Sequence, residues 1–161
     1  MSTDNKNATA KSLGMRRIHR PKAKEALIQE LISDKVGIFP DIWRILLFAA
    51  HVGFKNQNKE PLGEVDSGKG IDQTTFGNCA AWPGLLYLMA LVENQDPTAC
   101  LMGNAMSEEL RLSIFQEYAH GGLSIMEDFF ESHPCDLDGV LEFIDTQTKT
   151  IVGEPDLDLK I

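Results

Sequence analysis

Two stretches of the chain are apolar on almost every helical face, "DIWRILLFAAHV" (41–52) and "AWPGLLYLMALVEN" (81–94). Both predict central helices buried on most sides. The first is relieved only by a stripe through Asp41, Arg44 and His51, and Gly53 follows it as a natural C-terminal stop. In the second, Pro83 suits a first helical turn. An earlier helix fits Pro21 to Ser33, with Ala23, Ala26, Leu27, Leu31 and Ile32 as its apolar side, before "DKVGIFP" breaks it. A short helix fits Leu137–Ile144. Between these, residues 55–70 are polar and glycine-rich and predict a mobile surface loop. "IDQTTF" fits a short strand or a helical turn equally well, and "DPTACLMGNA" reads as a short turn-like segment.

The most regular pattern surrounds "EYAHGGL" (117–123). At 100° per residue, Leu112, Phe115, Tyr118, Ala119, Gly122, Leu123, Met126, Phe129 and Phe130 fall within a sector of about 140°. The phase runs unbroken through the glycine pair, so one helix is predicted from about Ser107 to Glu131, capped by the Ser107 hydroxyl. Gly122 lies in the apolar stripe, where a missing Cβ admits a close neighbour. Gly121 lies near a second stripe with Ile114 and Ile125. Each glycine costs about 1 kcal/mol of helix propensity relative to alanine, and close packing is the simplest compensation. Tyr118, Gly121, Gly122 and Leu123 are therefore the candidate helix-packing or interface residues, and His120 is expected on the exposed polar face.

These elements make an all-α, compact single-domain bundle of about five helices over residues 21–147. A disordered basic arm (1–20) precedes it and an acidic tail (148–161) follows. An apolar content of 43% is enough for a real core. The net charge of −9 divides unevenly: residues 1–24 hold seven Lys/Arg against Asp4, and the remainder holds eight Lys/Arg against 23 Asp/Glu. Arg16, Arg17, Arg20, Lys22 and Lys24 are thus candidates for binding nucleic acid, an acidic partner or the body of a neighbour. A broad DNA-binding face on the acidic body is disfavoured, because phosphate contacts supply most non-specific affinity.

Catalytic signatures do not emerge. Cys79, Cys100 and Cys135 are odd in number and far apart, which suits reduced cytosolic thiols, and no C-x-x-C or H-x-x-x-H spacing nominates a metal. "GKG" at 68–70 lacks the spaced glycines and Lys-Ser/Thr of a phosphate-binding loop, and no G-x-S-x-G occurs. Carboxylate pairs such as Glu108/Glu109 and Glu127/Asp128 are explained by charged helix faces. No catalytic, cofactor-binding or metal-binding residue is nominated, and the reading is of a non-enzyme without a recognisable small-molecule substrate. The apolar runs are too short to span a bilayer and no secretory signal opens the chain, so a cytoplasmic, membrane-free protein is expected.

"RRIHRPKAKEALIQEL", "GIFPDIWRILLFAAHVGF", "EPL" and "FQEYAHGGL", in that order, resemble a small bacterial family. It is the fourth protein associated with the dnd (DNA phosphorothioation) modification-restriction systems. The resemblance covers roughly residues 15–130. His120 departs from the asparagine expected there, and the 55–70 loop is longer and more acidic than is usual. The resemblance implies a bacterial cytosolic setting beside DNA-modification and anti-phage genes, and no established catalytic activity. It also implies protein partners in a defence complex, such as ATPase or nuclease subunits, with DNA within reach of the arm.

Overall fold

The computed structural model describes residues 16–101 and 103–149. Strand β1 (Arg17–Ile18) leads through a 3-10 turn at Lys22–Lys24 into helix α1 (Glu25–Leu31) and then α2 (Ile42–Lys55). After a long connection come β2 (Ile71–Asp72), α3 (Gln73–Phe76), α4 (Gly84–Asn94), α5 (Pro97–Leu101), α6 (Ala105–Phe130) and α7 (Leu137–Lys149). The fold is all-α apart from the antiparallel β1–β2 ladder, which pairs Arg17 with Asp72 and Ile18 with Ile71. The arm expected over 1–20 differs at its end, because residues 16–20 join the fold. Residues 1–15, and 150–161 of the expected tail, lie outside the described residues.

Helix α6 is the axis of the molecule. It passes through Gly121–Gly122 without interruption, and α2 packs along it. A Cβ on Gly122 would collide with the Ala49 carbonyl, and one on Gly53 would collide with the Tyr118 carbonyl and sit 3.0 Å from Gly122 N. Backbone therefore meets backbone at Ala49 and Gly53 of α2. Gly53 is not the stop that its position suggests, since α2 continues to Lys55. A glycine after an apolar run reads the same whether it ends a helix or lets one approach another.

Side chains fill the space on either side of this contact. Phe115 packs edge-on against Phe76 and Trp82, and Trp43 closes on Phe76. Beyond the glycines, Phe143 of α7 meets Phe48 and Phe129. The backbone N–H of Leu137 donates to Lys35 O at 3.1 Å, tying the start of α7 to the loop after α1.

Several expectations change in detail. Asn104, not Ser107, caps α6, its side-chain oxygen accepting from Ser107 N at 2.8 Å, while Ser107 is buried. "IDQTTF" holds both alternatives, a strand and then a helical turn, and "DPTACLMGNA" contains α5. Helix α4 buries Leu86, Met89 and Ala90 but exposes Leu88 and Val92, so it is not enclosed on all sides.

Alanine substitution separates a close contact from mere helicity. Gly122→Ala must push α2 away, and thermal or urea unfolding should show a loss of about 3 kcal/mol. At Gly84, where a Cβ meets nothing within 4 Å, the same change should leave stability within about 1 kcal/mol or raise it.

Candidate functional site: the strap and arm on helix α6

Chain leaving α2 crosses α6 at once, because the glycine contact holds the two helices so close. Asn58 O lies where a Cβ on Gly121 would be, and Asn58 Nδ2 donates to Gly121 O at 3.1 Å. Two residues on, Glu60 N donates to Glu117 O at 3.0 Å. His120 Nδ1–H donates to Pro61 O at 2.7 Å, which fixes its tautomer and leaves Nε2 3.5 Å from Glu60 Oε2. Ser124 Oγ donates to the same Glu60 oxygen at 2.9 Å. Thus "EPL" and "EYAHGG" lie against each other, and the first part of the 55–70 loop is a strap tied to α6, not a mobile segment. His120 is correspondingly covered, with its side chain 14% exposed.

A second polar cluster adjoins the strap. Tyr118 Oη donates to Glu93 Oε2 at 2.6 Å, and Lys59 pairs with Glu93 and lies 3.8 Å from Glu117. Burial first, then the Glu93 carboxylate, pushes the Tyr118 hydroxyl up to about 12. The Lys59 ammonium and then the Tyr118 hydroxyl hold Glu93 below its ordinary range. Tyr118 is a donor locked to a carboxylate.

The basic arm lies along another row of α6. Arg16 pairs with Glu109 at 2.8 Å, His19 N donates to Gln116 Oε1 at 2.6 Å, and Lys24 pairs with Glu127. From 109 to 127 the helix rises about 27 Å, so the three contacts are spread over most of its length. Arg17 meets Asp72 at 3.0 Å and Lys22 meets Glu64 at 2.8 Å. Arg20 is buried, holding Glu25 through two bonds at 2.9 and 3.3 Å and donating to Lys69 O at 2.9 Å. All five candidate cations are therefore engaged by the chain's own carboxylates. Of the packing candidates, Tyr118, Gly121, Gly122 and Leu123 are all buried, the glycines against Asn58 and Ala49.

The Ser124–Glu60–His120 group is not arranged as a nucleophile relay: the serine hydroxyl donates to the Glu60 carboxylate, and His120 Nδ1–H is committed to the Pro61 carbonyl. Burial, followed by Glu30 and Asp136, raises the Cys135 thiol, which moves it away from a reactive thiolate. Among the described residues, no group of three or more His, Cys, Asp or Glu is placed to hold a metal ion, and no helix is long and apolar enough to cross a membrane. Sequence reasoning missed Asn58, Lys59, Glu60 and Gln116 as anchors. The one available signal was the joint occurrence of "EPL" and "EYAHGGL".

The Arg20–Glu25 pair predicts a pH dependence. Chiefly through its bonds to Arg20, Glu25 titrates at about 2 instead of near 4.5. Because the folded value is depressed, its stabilisation is complete above about 4.5 and is lost as pH falls toward 2. Glu25→Gln should cost about 2 kcal/mol at pH 7. The gap from the unsubstituted protein, followed by thermal unfolding against pH, should close through that window.

No curated protein and no solved structure matches the chain. A family model described as DNA sulphur modification system-associated protein 4 matches residues 17–160, and so takes in α7 as well as the arm, strap and α6. The chain belongs to the family of DNA sulphur modification system-associated protein 4.

Proposed function

We propose that the protein is a non-catalytic accessory subunit of a DNA-modification-linked anti-phage defence system, acting through contacts with the system's other proteins. Family membership supplies the association with a DNA sulphur modification system. The observation that carries the subunit reading is the closure of the motif residues on one another. Glu60, His120, Ser124 and the glycine pair hold a strap to a helix, which is scaffold chemistry.

The same logic applies to the arm. Arg16, Arg17, Arg20, Lys22 and Lys24 have carboxylate partners at hand. DNA would have to displace those carboxylates before counterion release could drive binding. That supports protein contact over direct DNA binding as the working mode.

Affinity purification of the tagged chain from cells expressing the whole sulphur-modification system tests the reading. At least one component protein should co-purify stoichiometrically and remain after nuclease treatment. Recovery of the chain alone, or co-purification abolished by nuclease, would contradict it.

A further inference from the structure

Helix α7 carries an outward face that the other described residues leave uncovered. Its inner side buries Gly139, Val140 and Phe143, with Phe143 against Phe48 and Phe129, and Gly139 makes room for the Pro134 carbonyl of the turn that enters the helix. On the opposite side Leu137 and Leu141, one turn apart, are 45% and 51% exposed. Asp138, Glu142 and Asp145 share that side, all five positions falling within about 140° of helical rotation. Scattered exposed leucines need no explanation, but an i, i+4 pair aligned with three exposed carboxylates forms one patterned surface.

Charge says what fits it. From Glu127 to Lys149 the sequence holds seven Asp/Glu and one Lys, a net of −6. Lys149 bridges Asp145, His133 Nε2 lies 3.8 Å from Glu142, and Lys24 and Lys55 reach Glu127 and Gln147 O from outside this segment, so the local net falls from −6 to −4 and stays acidic. The described part of the basic arm is engaged elsewhere, along α6 and the strap. Polyanionic DNA is repelled by such a face, and a second copy would bring like charges together. The outer face of α4 is also apolar, through Leu88 and Val92, but residues 84–92 carry no charge and specify no partner.

We propose that the outer face of α7, built on Leu137 and Leu141 with Asp138, Glu142 and Asp145 beside them, is the docking surface for a basic amphipathic helix of a protein partner. The proposal rests on the accessory-subunit reading and names the surface and the partner chemistry for it. The partner's apolar stripe would cover the leucine pair, and its Lys/Arg would meet the carboxylates, setting register and encounter rate.

Two arms test this. In the first, a helical Lys/Leu amphipathic peptide is titrated into the full chain and followed by backbone NMR shifts. Glu/Leu and Lys/Ser peptides serve as controls. The expected result is shifts concentrated at residues 137–149, affinity falling about ten-fold with added salt, and either control at least about ten-fold weaker. Leu137→Ser with Leu141→Ser should weaken binding by a similar factor, with circular dichroism unchanged and melting lowered by only a few degrees, because each side chain is about half exposed. Shifts centred elsewhere, or undiminished binding by that variant, would overturn the proposal. In the second arm the same variant is used in co-purification from cells carrying the whole system. Loss of a component that the unsubstituted chain retains supports the α7 surface, and its retention refutes that surface while leaving the accessory reading intact. If the unsubstituted chain retains nothing, the accessory reading fails and the peptide titration alone decides the surface.

Discussion

Everything in this fold is arranged around one steric constraint, the backbone contact between Ala49 and Gly53 on α2 and Gly122 on α6. Without Cβ atoms at Gly53 and Gly122 the helices meet through their main chains. The loss of helix propensity at two glycines is offset by dispersion contacts and by the aromatic packing that closeness permits on either side. Phe115 with Phe76 and Trp82 at one end, and Phe143 with Phe48 and Phe129 at the other, depend on that spacing. The strap depends on it too. A chain that exits α2 at Lys55 reaches Gly121 by Asn58 because the two helices are already touching.

The second consequence is that α6 has little free surface along its middle. Its apolar side faces α2 and α4, while its polar side meets the strap through Glu117, His120 and Ser124. The arm takes Glu109, Gln116 and Glu127. Exposed surface ion pairs contribute little singly. Here three arm contacts follow one row of a single helix, and Arg20 is buried between Glu25 and Lys69 O, so the arm is part of the architecture. The residues with the strongest motif character therefore serve to close the molecule. Patterned surface remains at the periphery, on α7.

The unbroken apolar phase through Gly121–Gly122 made α6 and its packing glycine legible in the sequence, since helical periodicity is a local property. The small seam residues on α2 were visible but ambiguous, and Gly53 was misread because a C-terminal stop and a close approach both select glycine. The strap was illegible for a different reason. Its anchors join residues about sixty positions apart, and a polar, glycine-containing stretch has the same composition whether it is tied down or free. The charge asymmetry of the arm was plain, yet the register of Arg16, His19 and Lys24 on Glu109, Gln116 and Glu127 is a three-dimensional fact. For α4, an all-round apolar sequence suggested enclosure, while the fold leaves Leu88 and Val92 outside.

The most direct test of the central contact is a nuclear Overhauser measurement on the intact protein with selectively labelled glycine and alanine. Strong cross-peaks between the α-protons of Gly122 and Ala49, and between Gly53 and the Tyr118–Gly122 segment, are the predicted result. Their absence in a folded, well-dispersed spectrum would mean that α2 and α6 stand a side chain apart, and the account of the seam, the strap and the motif would fall with them.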